Sequence, residues 1–403
     1  MKSTRVGLAI AIVLGCGDST SPDGSGGAGA RDGGGGAGAE AGGGPAGGGG
    51  AGFGAGGEGG VVFGATLPFV YVATSDGQIE VFDLDRGSGA LSSKGSVEAG
   101  DDPSFLAGSP GSQYLYAIDA GADEVLAFAI DQQTGLLTEI GERQSSEGSG
   151  PAYVATDASG RWVFVANYGG GTVAVLPVLE DGSLGPAVDV EAPGDNPHLI
   201  RADLDNEHVY VPCLGSDLVA LLDFDVNSGQ LEPRVDALLP PGTGPRHLEL
   251  HPSLPVAYVI GELGDSLTTF DVAPDGALTN PVTISTLPGG VDPSSSNCAD
   301  LHLHPSGRFL YGSNRGHDSI ARFTIDPLSG AATATGHTPT GGDWPRNFGI
   351  DVDGGVLLVA NQQSDEVVSF TIDARTGELA ELLTTPTGPS PSWVGVIPQY
   401  LLK

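Results

Sequence analysis

The chain has 403 residues, with 16 Lys and Arg against 50 Asp and Glu, a formal net charge of −34. An excess that acidic repels phosphate backbones and anionic lipid surfaces, which argues against nucleic-acid binding. Three cysteines with no CxxC pair and no His/Cys ligand spacing argue equally against a zinc site and a disulfide-stapled fold.

In chain order, the first stretch does not read as folded domain. Lys2 and Arg5 form a short positive region, and Val6 to Leu14 is an apolar run of nine residues, too short to span a bilayer. It ends in Val13-Leu14-Gly15-Cys16, which resembles a bacterial lipoprotein signal in which Cys16 becomes the lipidated first residue. The alternative is an ordinary cleaved secretory signal. Residues 17–60 are almost all Gly and Ala, which cannot bury enough apolar surface to order themselves, and are expected to act as a disordered tether. The organisation expected is a signal over 1–16, a tether over 17–60 and one domain over 61–403. Export to the bacterial envelope follows, with membrane contact only through the lipid anchor.

From Val61 a repeat takes over. Its clearest copy is CADLHLHPSGRFLYGSNRGHDSIARFTIDPLSG, which reads as three short strands and a weaker fourth, with turns at Ser306-Gly307 and at Arg315 to Asp318. Aligning the second-strand aromatic or its equivalent gives Tyr71, Tyr116, Phe164, Tyr210, Tyr258, Tyr311 and Leu358, at intervals of 45, 48, 46, 48, 53 and 47 residues. The first strands align on Pro103, Pro151, Pro197, Pro245, Cys298, Pro345 and Pro391. Seven copies of a four-stranded unit this long predict an all-β, seven-bladed β-propeller with antiparallel blades. The first blade starts at its second strand, while the chain ends with an unmatched first strand from Pro391 to Val396. That last strand is expected to close the ring and hide its edges.

Reading the residue after the first-strand proline around the ring gives Ser104, Ala152, His198, Arg246, Ala299, Arg346 and Ser392. Reading four residues past the second-strand aromatic gives Ser75, Ala120, Tyr168, Leu214, Glu262, Arg315 and Gln362. Small or neutral residues fill most of these positions, so His198, Arg246, Glu262, Arg315 and Arg346 stand out and are expected around one mouth of the channel. Arginines grip carboxylate or phosphate bidentately and can stabilise an oxyanion, and a glutamate or neutral histidine can take a proton. Packing explanations stand beside these. His247, His251, His302 and His304 sit on inner strands, where imidazoles hydrogen-bond between blades. Asn167, Asn314 and Asn361 share a repeat position that satisfies turn backbone. Cys213 and Cys298 fall two blades apart and read as free thiols.

NYGGGTV at 167–173, GPRHLELHP at 244–252, HPSGRFLYGSNRGHDSIARF at 304–323 and PRNFGIDVDGGVLLVANQQSDEVVSF at 345–370 together resemble the seven-bladed propeller lactonase family, which includes 6-phosphogluconolactonases and muconate-lactonizing enzymes. The resemblance implies His198, Glu262, Arg246 and Arg315 as the catalytic set, with Arg322 a rival for Arg315. Arg346, Asn314, Tyr168 and His247 are expected to bind the substrate, which the resemblance implies is an anionic lactone. Neither a metal nor an organic cofactor, nor an oligomer, is expected. The reaction implied is hydrolysis of a sugar or carboxylated lactone; the alternatives are a lactonizing cycloisomerase and a non-catalytic envelope propeller that binds a ligand or partner.

Overall fold

The computed structural model describes residues 67–399, and the signal, Cys16 and the whole tether lie outside them. The 61–403 unit is a ring of seven antiparallel sheets, each built outward from an inner strand. Blades 2 to 7 occupy 103–145, 151–191, 201–238, 245–285, 297–339 and 345–386 in turn. Two of them, blades 2 and 4, add a fifth, two-residue strand at the outside. Among the described residues the helical segments are two 3₁₀ turns, Leu214–Ser216 and Pro293–Ser295.

Blade 1 is closed as expected. Leu67–Thr74 pairs on one side with Gln78–Asp85 and on the other with Trp393–Gln399, in a register that sets Tyr71 opposite Gly395. The inner edge of the first-synthesised strand is thus covered by the last one.

Alternation explains the core. A strand sandwiched between two blades sends successive side chains to opposite neighbours, so both faces must be apolar. In Ser319–Ile325 of blade 6, Ala321, Phe323 and Ile325 pack with Val256 and Tyr258 of blade 5. Ile320 packs instead with Phe348 and Val359 of blade 7. The repeat aromatics Tyr71, Tyr116, Phe164, Tyr210, Tyr258 and Tyr311 are all buried at the blade centres. Five of their hydroxyls donate to a glycine carbonyl in the outer turn of the next blade: Tyr71 to Gly135, Tyr116 to Gly182, Tyr210 to Gly276, Tyr258 to Gly330 and Tyr311 to Gly377. Phe164 has no hydroxyl, and blade 3 reaches blade 4 through Trp162 Nε1, which donates to Val226 O at 2.9 Å. Gly330 shows why these turns need glycine: its φ is +72°, and a Cβ there would stand 2.7 Å from Val256.

One alignment point differs. Pro197 does not begin a regular strand in blade 4; it forms an isolated bridge to Cys213, and the inner strand is only Arg201–Ala202. The cause is local. Asn196 takes a left-handed φ of 54°, and the chain after it meets its neighbour through His198 N–H donating to Pro212 O at 3.0 Å.

Candidate active site

The inner strands carry a shared irregularity. Ladder register shifts between Pro103 and Phe105, at Ala166/Asn167 opposite Pro151, between Pro245 and His247, between Cys298 and Leu301, and between Pro345 and Asn347. Ser104, Ala152, Arg246 and Arg346, together with Ala299 and Asp300 of blade 6, are therefore bulged residues left out of the pairing. A β-bulge turns its extra residue away from the regular pleat and commonly re-aims a side chain beside a site. Here it delivers the position after the first-strand proline into the central channel.

The result is a cup of about 280 Å³ at one mouth, lined among others by Asp102, Tyr168, His198, Arg246, Glu262, Arg315 and Arg346. Seven ionisable groups separated by up to 244 residues of sequence meet there. Glu262 stands between two guanidiniums, with Oε2 at 2.9 Å from Arg246 Nε and Oε1 at 2.9 Å from Arg315 Nη2. The Arg246 Nε contact is an ion pair rather than an aligned hydrogen bond, since that N–H has no acceptor in good geometry. Arg246 is 3% exposed, and its Nη1 donates to Ala299 O at 2.6 Å and to His247 Nε2 at 3.3 Å. Arg315 donates from Nη2 to Cys298 O at 2.9 Å and lies 5.4 Å from the centre of the Trp344 ring. Trp344 holds a left-handed φ of 64°, pinned by its N–H donating to Asp318 Oδ1. Among the described residues the Arg346 side chain has no ion pair or hydrogen bond, so it offers a free cation to the cup.

Burial dominates the protonation of this cluster. It pushes Arg246 down to about 9, against the pull of Glu262, which leaves the guanidinium charged at neutral pH. Burial would raise the Glu262 carboxyl, but Arg246 and Arg315 overcome it and hold the group below the usual carboxylate range. Burial, with Arg246 next, drives His198 well below 6.5, so it is a neutral imidazole. Its Nδ1 is buried without a hydrogen-bond partner, and its ring lies edge-on to Tyr168 at 5.6 Å.

The other expected residues fall in different places. Asn314 does not line the cup: it is fully buried, and its Nδ2 donates to Thr286 O at 3.0 Å, in the segment leaving blade 5, and to Ser319 Oγ of its own blade. Asn167 and Asn361 make the matching bonds to Ser146 O and Thr340 O. His247 lies beneath Arg246 at the cup floor. Arg322 points outward, donating to Thr335 O with Glu378 at 3.6 Å, so it is Arg315 that reaches the cup. His251 and His304 bond the next blade through Gly307 O and Gly354 O. Cys213 and Cys298 are free and buried.

Sequence reasoning missed Asp102, which lines the cup, and a charged ladder below it. Asp300 accepts from His247 Nδ1 at 2.7 Å and from His302 Nε2 at 2.9 Å, and Glu249 bridges His302 to Arg201. Burial would lower His302, but Asp300 overcomes it and pushes the ring up to about 10, although a third of the side chain is exposed at the far mouth. A histidine raised above its ordinary 6.5 adds stability that is complete below pH 6.5 and lost as pH rises through 10. The melting-temperature advantage of the wild type over His302→Gln is therefore expected to be greatest below pH 6.5 and to vanish towards pH 10; an advantage that grows with pH would contradict the ladder.

A seven-bladed ring with a cationic cup fed by inner-strand bulges defines a class of protein, and the relatives agree with it. The seven-bladed β-propeller lactonase family model matches residues 69–396. The 6-phosphogluconolactonase of Bacillus subtilis is 32% identical over 290 residues, covering 69% of this chain and 82% of that protein. That of Pectobacterium carotovorum is 33% identical over 333 residues, covering 81% and 98%. The periplasmic gluconolactonase of Pseudomonas aeruginosa superimposes with a TM-score of 0.75 at 27% identity, covering 84% of this chain and 100% of its own. The chain belongs to the seven-bladed β-propeller lactonase family.

Proposed function

We propose that the protein hydrolyses an anionic lactone of the gluconolactone type. The observation that carries this reading is the convergence of three guanidiniums and one neutral imidazole on a single cup. In a protein of net charge −34, such a cup is the place where an anion is welcome. Arg346, with no partner of its own, takes the substrate's phosphate or carboxylate. Arg246 and Arg315, held by Glu262 and by backbone carbonyls, face the lactone carbonyl and stabilise the negative charge that develops on its oxygen.

His198 takes a proton from water as the water oxygen bonds to the carbonyl carbon. The tetrahedral intermediate then collapses, the bond from carbon to ring oxygen breaks, and the imidazolium returns its proton to that oxygen. The product is a hydroxy acid, whose carboxyl ionises and releases one proton. Glu262 has both carboxylate oxygens committed to Arg246 and Arg315, and its part is to orient them.

The Pseudomonas relative is periplasmic, and the Val13-Leu14-Gly15-Cys16 pattern fits the same export route with a lipid anchor at Cys16. A phosphorylated sugar lactone is a cytoplasmic metabolite, so an exported enzyme fits a lactone whose anionic group is a carboxylate. The test is acid release in weak buffer from δ-gluconolactone, its 6-phosphate and carboxylated γ-lactones. Acceleration over the spontaneous rate on at least one supports hydrolysis and names the class. Folded protein that accelerates none points to a binding propeller instead.

A further inference from the structure

One step deeper than the rim, the inner strands place Phe105, Tyr153, His247, Asp300, Asn347 and Trp393 around the axis. The aromatic members pack closely: Phe105 lies tilted on Tyr153 at 4.1 Å and edge-on to His247 at 6.0 Å and Trp393 at 6.1 Å, and Tyr153 is edge-on to His247 at 5.4 Å. This layer forms the floor of the cup. Its polar side is Asp300, which is 1% exposed yet accepts from five donors: His247 Nδ1, His302 Nε2, Asn347 Nδ2 at 2.6 Å, and the N–H groups of Leu301 and Phe348.

The hydrogen-bond directions are forced. A guanidinium has donors only, so Arg246 Nη1 donates to His247 Nε2, which must therefore be unprotonated. A carboxylate is an acceptor, so Nδ1 carries the hydrogen and gives it to Asp300. Every ionisable group facing this ring agrees. Burial and then Arg246 push His247 down to about 4, so it is neutral, and His198, whose ring centre is 5.3 Å away, is neutral as well. Tyr153 is pushed up to about 12 by burial, and His302 reaches His247 only through Asp300. A neutral imidazole exists as one of two tautomers, and its partner at one nitrogen decides the other.

We infer that Asp300 and His247 are positioning residues for Arg246: Asp300 fixes the Nδ1–H tautomer of His247, and the bare Nε2 holds the Arg246 guanidinium in its reacting pose. The inference rests on the lactonase reading for what Arg246 does, but not for how it is held. The opposite tautomer would aim an N–H at a guanidinium N–H and drive the two apart. Neither residue need touch the lactone for the reaction to depend on both.

The test separates positioning from mere packing. In wild-type protein, two-bond ¹⁵N–¹H spectra of the histidine rings should show Nε2 of His247 bare and Nδ1 protonated, with the signals assigned by their loss in a His247 variant. His247→Leu keeps bulk but removes the acceptor, and kcat/KM on the best lactone should fall about 10- to 100-fold, the usual cost of losing an orienting partner. His247→Gln, whose amide oxygen can still accept from Arg246, should recover most of that loss. In Asp300→Asn the amide can donate to Nδ1, so the tautomer should invert and activity fall with it; if that variant fails to fold, the His247 pair decides. Protonated Nε2 in the wild type, or equal losses in the Leu and Gln variants, overturns the inference. Should the wild type accelerate no lactone, the lactonase reading falls alone, and the same Leu-against-Gln comparison is read from the affinity for inorganic phosphate by calorimetry.

Discussion

Arg246→Ala is expected to lower kcat/KM on the best lactone by about 10²- to 10³-fold, the range seen when one preorganised oxyanion donor is removed. The loss should fall mainly on kcat. Arg246 is anchored on three sides, by Ala299 O, His247 Nε2 and Glu262, before any substrate arrives. It therefore needs no reorganisation when charge appears on the carbonyl oxygen, and its advantage is realised in the transition state rather than in the bound ground state. Arg246→Lys should not restore the rate, because a compact ammonium cannot reproduce a planar fork that holds Ala299 O and His247 Nε2 while pairing with Glu262. Arg346→Ala gives the contrasting result. That side chain is not anchored and interacts with the substrate's remote anion, so its removal should raise KM and leave kcat within a few-fold. Steady-state kinetics beside thermal melts decide the matter: an Arg246→Ala protein that is folded and retains more than a tenth of the activity would refute the assignment.

How far the sequence reveals this site depends on which physical signal each part leaves. Strand alternation and turn glycines leave a periodic signal, so the blade count, the closing role of Trp393–Gln399 and the two rim positions could be read from spacing alone. The charges at those positions stood out because the rest of the ring carries Ser, Ala, Tyr, Leu or Gln there. A bulge leaves no such signal, since it adds one residue without changing residue type. Once the bulges are seen, the step from Arg246 to His247 aligns with the steps from Ala299 to Asp300 and from Arg346 to Asn347, and the floor of the cup becomes a readable ring. Asp300 was hidden for a further reason: a buried carboxylate in an acidic chain looks like one more surface charge until its five donors are counted. Asn314 illustrates the converse. It was expected among the substrate-binding residues, but a fully buried amide is claimed by the nearest backbone, here Thr286 O, before any substrate can compete for it, as the turn reading of its repeat position had it.

Ending the chain at Ser390 is expected to abolish the cooperative melt of the whole propeller, although only thirteen residues are lost. The removed strand buries Trp393, Val394 and Ile397, which are 9%, 1% and 7% exposed. At about 1.5–3 kcal/mol each, these three side chains alone approach the whole of a typical domain's stability of about 5–15 kcal/mol. The strand also ties three blades together. Trp393–Gln399 completes the blade 1 ladder, Ser392 Oγ donates to Pro103 O of blade 2 at 3.0 Å, and Val394 N–H donates to Asn347 Oδ1 of blade 7 at 2.7 Å. Without it, Leu67–Thr74 becomes an open edge with unpaired backbone groups, a template for association with other chains. The same cut disconnects Asn347 from one of its partners, and Asn347 is a donor to Asp300, so damage at the seam reaches the cup floor. Adding the 391–403 peptide in trans should restore the melt and part of the activity, because the missing strand can pair by the same register. Removing residues 1–60 is the matched comparison and should leave the melting temperature unchanged. A chain ending at Ser390 that melts within a few degrees of the intact protein would show that the ring closes by some other means.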